Sequence, residues 1–291
     1  MSECGKEYIF IKDYKHQDMY RKSFADLGKR IFDIDFEEFY QKGFWGDDYI
    51  CYSYVHEDVV ISNVSLSTME LIIEGERVRA IQIGTVMTDP LFRRKGLAYQ
   101  LMTKIFEDYD PTCTLYFLAA DEEAIPLYEK CGFIANPENK YIIEVSKTPR
   151  LNHELTPCQL TVEELLHLKR QAQPLSTILS AVKDEHVLLF YYMMGFKESI
   201  YRLSDELYVI YEREDSSLNL YTILSTKPFD LQEIIESIVF EGIDKVICHF
   251  TPDQEIDGLT VEIDSTSSWM IRCIGNRSFP IRARFPRISQ T

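Results

Sequence analysis

Ile83-Gly84-Thr85-Val86-Met87-Thr88-Asp89-Pro90-Leu91-Phe92-Arg93-Arg94-Lys95-Gly96-Leu97-Ala98 reads as a strand that runs through a short loop into a helix whose first residues are small. A helix start of this kind presents unpaired backbone N–H groups and the positive end of a dipole, and Gly96 with Ala98 lets a phosphate come close to both. Arg93, Arg94 and Lys95 add positive charge at the same mouth, although the chain as a whole carries a net charge of -16. A local reversal of sign at a helix start points to a phosphate-bearing ligand. By composition alone an RxxGxA hexapeptide is a weak signal, so its surroundings have to decide.

Working outward, Tyr8–Lys12 is predicted as a short strand, and His16–Asp33 and Phe36–Lys42 as helices with apolar residues at three- and four-residue spacing. Three β-rich runs follow, Tyr49–Val55, Val59–Ile73 and Val78–Met87, with Glu74-Gly75-Glu76 as the turn between the last two. Gly96–Tyr109 is a helix with Leu97, Leu101, Ile105 and Tyr109 on one face, and Leu115–Ala119 is a buried strand. A second helix carries Ala124, Leu127, Tyr128 and Cys131; Pro126 must lie in its first turn, so it begins near Glu122, and Gly132 ends it. This order gives an α/β domain closing near Val145, and Pro149–Pro157 reads as a linker. Beyond it, helices are predicted at Thr161–Ala172, Pro174–Met194 and Asp230–Val239, with strands at Glu206–Glu212 and Leu218–Leu224 and near Val246 and Val261. Two domains are expected, 1–148 and 149–291.

The RxxGxA segment resembles the pyrophosphate-binding motif of the GCN5-related N-acetyltransferase (GNAT) family, [R/Q]xxGx[G/A] after the fourth strand, with Arg93, Gly96 and Ala98 at the matching positions. Asp121-Glu122-Glu123-Ala124-Ile125-Pro126-Leu127-Tyr128-Glu129-Lys130-Cys131-Gly132-Phe133 is similar to the family's second motif in its alanine, its helical tyrosine and its terminal Gly-Phe. Leu71–Val78 and Ala124–Tyr128 also resemble the enhanced intracellular survival branch, whose members append a degenerate second acetyltransferase-like domain. Leu207–Tyr211, Leu218–Leu224 and Trp269–Arg272 are similar to that domain, which here has no second RxxGxA. The resemblance implies an α/β (α+β) fold with a mixed central sheet flanked by helices, followed by a degenerate GNAT-like domain. The branch usually ends in a sterol-carrier-like third domain whose terminal carboxylate is implicated as a base. Only sixteen residues follow Gly275, so that domain is expected to be missing and Thr291 does not inherit the role.

The activity so implied is transfer of an acetyl group from acetyl-CoA to an amine, without a metal. Cofactor contacts are expected from Val86, Met87, Thr88, Arg93, Arg94, Lys95, Gly96, Leu97, Ala98, Asp121 and Ala124. In the family the strand holding Val86–Thr88 splays from its neighbour, and a backbone N–H near Val86 or Met87 polarises the acetyl carbonyl. Tyr128 is the expected general acid for the departing thiolate; by spacing alone it reads as a core tyrosine. Glu70, His56, Glu122 or water are open candidates for the base, while Gln82 and Thr85 cannot usefully accept a proton. His16, His153, His167, His186 and His249 lie away from both motifs in sequence and read as surface or packed residues. Tyr40, Phe44, Trp45, Tyr49 and Tyr52 cluster where the family builds its acceptor entrance, although core packing accounts for them equally.

The remaining composition narrows the partners. Seven scattered cysteines, never spaced CxxC, indicate neither a disulfide framework nor a zinc site. The acidic balance disfavours nucleic acid, no apolar run approaches the roughly 20 residues of a membrane span, and Met1–Lys12 lacks the order of a secretory signal, so a cytoplasmic protein without a membrane partner is expected. After Asp264 no acid occurs, while Arg272, Arg277, Arg282, Arg284 and Arg287 follow, a basic tail equally suited to docking on the acidic body or to solvation. The acceptor is expected to be a small-molecule amine, cationic and of aminoglycoside or polyamine type. The alternatives are a protein lysine or N-terminus, or a noncatalytic acetyl-CoA-binding module. The sequence leaves the oligomeric state open, a homo-oligomer included.

Overall fold

The computed structural model describes residues 8–145, 149, 151–275, 278–280 and 282–289; Cys4, Arg277 and Thr291 lie outside them. The first half follows the predicted order closely. β1 (Ile9–Lys12), α1 (Asp18–Phe32) and α2 (Phe36–Gln41) precede the meander of β2 (Tyr49–His56), β3 (Val59–Ile73) and β4 (Glu76–Thr88). α3 (Leu97–Tyr109), β5 (Leu115–Ala119) and α4 (Ile125–Lys130) follow. A 3-10 turn at Glu122–Ala124 leads into α4, so Pro126 falls in the first α-turn, where its missing N–H costs nothing.

Side chains of β2 alternate between the two faces of its sheet, as strand geometry requires. Tyr49 and Cys51 pack with Phe24, Phe36 and Phe39 of α1 and α2, whereas Tyr52 and Tyr54 pack with Leu101, Met102 and Ile105 of α3. The sheet is thus covered on both faces by helices of the first half.

The second half departs from the expected layout. Pro174–Met194 is not one helix: β8 (Leu179–Val182) pairs antiparallel with Glu70–Ile73 of β3, and α6 (Glu185–Met193) follows α5 (Val162–Gln171) only after it. Leu179–Val182 is a short, largely apolar run, and periodicity cannot separate a buried strand from a buried helix there. The deciding factor is the free edge of β3, which extends beyond its partner β2 and is completed by β8. Beyond Glu185 and His186, α6 is apolar on several sides because it is wedged between three clusters: Leu189 and Phe190 pack towards α1 and α2, Val187 towards β8, and Leu188 towards the second sheet.

The remaining strands are β9 (Ile200–Ser204), β10 (Leu207–Glu214), β11 (Ser217–Ser225), β12 (Lys245–Cys248), β13 (Leu259–Ile263) and β14 (Trp269–Cys273), and α7 (Leu231–Ile238) covers the sheet that β10, β11 and β12 share through Leu231, Ile234, Ile235 and Ile238. The two halves exchange strands. β6 (Ile134–Ala135) stays in the first sheet, but β7 (Asn139–Glu144) enters the second between β12 and β13. In return β14 lies antiparallel to β5, Trp269 opposite Ala119 and Cys273 opposite Leu115. The first sheet therefore runs β1-β2-β3-β4-β5-β14-β6 with β8 added on β3, and the second runs β13-β7-β12-β11-β10-β9. Strands cross the expected 148/149 boundary in both directions.

The described part of the basic tail docks. Phe285 stacks on Phe117 with ring centroids 4.5 Å apart, its N–H donates to Glu138 Oε1 at 2.7 Å, and Arg284 pairs with Asp264 at 3.0 Å. Arg272, one strand earlier, makes a bidentate pair with Asp110. Among the described residues six cysteines are free thiols, and no helix is long and apolar enough to cross a membrane.

Candidate active site

The site is built where β4 leaves β5. β4 stays paired with β3 along nearly its whole length, but it pairs with β5 only through Ala80–Gln82 opposite Leu115–Phe117. From Ile83 onward the β5-facing edge of β4 opens into a cleft, which is the splay expected for an added-strand ligand. The strand is also bulged here. Asn63 is opposite Met87 and Ser65 opposite Gly84, so Thr85 and Val86 together face Val64 alone. Thr85 occupies the left-handed region (φ 48°), held by Asn63 Nδ2 donating to its carbonyl at 2.9 Å and by a 2.7 Å bond between Tyr49 Oη and its hydroxyl. A bulge re-aims the groups that follow it, and a non-glycine residue held at positive φ marks a constrained, functional position.

Two cavities meet at this bulge. The outer one, a trough of about 630 Å³, is bounded by Val86, Met87 and Thr88 on β4, by Arg93 to Ala98 around the start of α3, and by Asp121 and Ala124 before α4. All eleven residues expected to contact the cofactor line this trough. Gly96 caps α3 at φ 75° with no side chain bonded to the first-turn amides, and a Cβ placed there would meet only Gln100 Nε2 at 3.9 Å. Glycine is required by the backbone angle, and the space beside it is open to a ligand. Arg93 Nε donates to the Thr88 carbonyl at 3.1 Å, and the Lys95 ammonium lies 4.8 Å from the centre of the Phe92 ring. An open groove with a basic mouth, an uncapped helix start and an exposed strand edge suits a phosphorylated ligand with an amide-bearing arm.

The inner cavity, about 200 Å³, is an aromatic chamber. Its walls come from Phe32, Ile34, Phe36 and Phe39 of the α1–α2 region, from Tyr49 and Ile83 to Val86 of the sheet, and from Tyr128, His186 and Phe190. Phe32, Val86 and Asp121 border both cavities, so the chamber opens on the trough beside the bulge. Tyr128 is 5 % exposed, edge-on to Phe133, and burial pushes its phenol well above the ordinary tyrosine range, with Asp121 and Cys131 adding to the shift. The proton is therefore retained across the working pH range, as an acid requires.

Several other candidates are placed elsewhere. Glu70 is ion-paired to Lys183 and Arg77, and these partners, Lys183 foremost, hold its carboxyl below the usual range in a groove away from the chamber. His56 packs edge-on between Tyr8 and Phe92, and Glu122 lines the trough; neither borders the chamber. Of the five clustered aromatics, Tyr49 alone does. Trp45 and Phe44 are buried in the α1–α2 core, Tyr40 stacks under the Arg21 guanidinium, and Tyr52 bonds Asp108 across the sheet.

The separation of all five remaining histidines from the motifs fails for His186. α6 brings it into the chamber wall 58 positions after Tyr128, and no local pattern in the sequence signals this. His249, by contrast, is packed against Tyr221 and bonded to Asn219.

Residues 17–135 match the family described as "Acetyltransferase (GNAT) domain". This segment is a GNAT acetyltransferase domain. No curated protein matches the sequence. Among solved structures, Eis1 from Mycobacterium abscessus superposes with a TM-score of 0.63 at 13% identity over 92% of this chain and 73% of its own. GCN5-related N-acetyltransferases from Anabaena variabilis (TM-score 0.60, 19%, 92% and 73%) and Kribbella flavida (0.56, 15%, 92% and 71%) are also similar. At these identities the likeness is one of fold, and it extends through the strand-exchanged second half. The matched segment is the domain of acetyl-CoA-dependent acyltransferases.

Proposed function

We propose that this protein transfers the acetyl group of acetyl-CoA to the primary amine of a slim cationic small molecule, an alkyl or arylalkyl amine or a polyamine. The observation that carries this reading is the shared border of trough and chamber at Phe32, Val86 and Asp121. The trough residues Arg93 to Ala98 would hold the pyrophosphate, and the freed edge of β4 would pair with the amide-bearing arm. That places the thioester at the bulge, where the Val86 or Met87 N–H can polarise its carbonyl. Tyr128, which lines the chamber that opens on this junction, supplies the proton for the leaving sulfur.

The acceptor class follows from the walls of the chamber. Its aromatic faces attract an ammonium and its apolar surface suits a narrow hydrocarbon chain, whereas a polyhydroxylated ring system would leave hydroxyls unpaired there. The net charge of -16 acts at longer range, drawing protonated amines towards the protein. A steady-state assay of thiol release with spermidine, phenethylamine, an aminoglycoside and a lysine peptide tests this directly. The slim amines should show the highest kcat/KM, and the advantage of the polyamine over phenethylamine should shrink as salt screens the attraction. A preference for the peptide or the aminoglycoside would overturn the assignment.

A further inference from the structure

His186 is the second residue of α6, follows Glu185 and precedes an apolar run, and is 7 % exposed. Neither of its ring nitrogens has a hydrogen-bond partner. A buried polar group left without a partner is costly, and where it borders a cavity the missing partner is most simply a ligand. The cavity it borders is the chamber that Tyr128 and the Thr85–Val86 bulge also line. A phenylalanine or leucine would pack equally well among Phe36, Phe39 and Phe190, so packing does not explain an imidazole at this position.

We propose that His186 is the general base of the acetyl transfer, accepting the proton of the acceptor amine inside the chamber. The inference rests on the amine-acetylating reading above and adds to it the group that the sequence left open. The proton and electron count closes on the two residues. The acceptor first sheds its ammonium proton to solvent; as the neutral amine nitrogen then bonds to the acetyl carbon, His186 takes the remaining N–H proton. As the carbon–sulfur bond breaks, sulfur keeps the electron pair and takes the Tyr128 phenol proton. The His186 proton then returns to the Tyr128 phenolate through solvent, leaving amide and free thiol.

A base must be neutral before it acts, and the surroundings decide this. Asp48, ahead of β2, and Asp184 and Glu185, at the start of α6, are the carboxylates that favour the charged ring; Lys169 of α5 pairs with Asp184 at 2.7 Å. Tyr49, Asp121 and Tyr128 line the same chamber. Desolvation outweighs the carboxylates and holds the imidazole below its ordinary value of 6.5.

The test compares wild type, His186→Gln and His186→Phe in thiol release with the amine panel, alongside calorimetric acetyl-CoA affinity and thermal melting. His186→Gln should keep cofactor affinity and lower kcat by a hundredfold or more, the usual contribution of a positioned base. The wild-type kcat should fall on the acid side with an inflection below pH 6.5, and that limb should vanish in the variant. A His186→Gln enzyme with wild-type kcat and profile would overturn the base while leaving acetyl transfer standing. If both variants fail to fold, the wild-type profile decides alone, and an acid-side inflection above pH 8 would overturn the proposal. Absence of turnover by the wild type with every amine, despite acetyl-CoA binding, would overturn the acceptor reading and the base with it.

Discussion

At the scale of single residues, Tyr128 shows how burial makes a phenol keep its proton, as the acid role proposed for it requires. Its hydroxyl has no hydrogen-bond partner among the described residues and is available to a ligand in the chamber. Tyr128→Phe should leave melting temperature and acetyl-CoA affinity close to wild type while lowering kcat by roughly ten- to a thousandfold, because only a proton donor used in the transition state is removed. Unchanged turnover in a steady-state assay would reduce Tyr128 to a packing residue against Phe133. The contrast with Glu70 is instructive, since both were candidates for proton transfer. Glu70 is committed to Lys183 and Arg77, and a carboxylate held by two cations is a poor base.

At the scale of elements, the segment joining β6 to β7 carries the one carboxyl whose ionisation opposes docking of the tail. Glu138 is almost fully buried, accepts the Phe285 N–H, and burial pushes its carboxyl up to about 7 from a usual 4.5. Because the folded value lies above the unfolded one, the native state binds more protons between those two pH values. Stability therefore falls as pH rises from about 4.5 to about 7, by at most about 3 kcal/mol. Glu138→Gln retains an oxygen for the Phe285 amide and removes the ionisation. Urea unfolding at pH 5 and pH 8 should show the variant gaining on wild type at the higher pH. Equal pH slopes for the two proteins would show that Glu138 does not ionise at a cost in the native state.

At the scale of the whole molecule, exchange of β7 and β14 makes each sheet depend on both halves. A 1–148 fragment would leave β5 without β14, the upper part of β3 without β8, and β7 without its sheet. A 149–291 fragment would lose the strand between β12 and β13. Exposed, unpaired apolar edges favour aggregation. Expressed singly, both fragments should be insoluble or molten by circular dichroism and fluorescence, whereas co-expression should restore a complex that binds acetyl-CoA. Cooperative melting by either fragment alone would mean that the exchanged strands are dispensable. The same interlock gives the second half a direct part in the site, because α6, held between both sheets, supplies His186 and Phe190 to the chamber.

Local sequence was sufficient for the first half because its signals are local. Short-range periodicity defines α1, the turn at Glu74-Gly75 closes the β3–β4 hairpin, Gly96 demands positive φ at a helix start, and Gly132 at φ 86° ends α4. The trough was legible for the same reason: the residues that line it come from two contiguous segments and the end of α1. The chamber was not, since Phe32, Phe39, Tyr128 and His186 belong to four separate helices and meet only after folding. Likewise, no pattern within Leu179–Val182 or Trp269–Cys273 names its partner. A strand's face is written in its own alternation, but its neighbour is chosen by whichever edge remains open when the sheets assemble, here those of β3 and β5. The sequence by itself thus determined the phosphate-suited strand–loop–helix and the helix that carries Tyr128, while tertiary structure decided which residues share a cavity with that tyrosine, because bringing a histidine and a tyrosine 58 residues apart to one cavity depends on long-range packing.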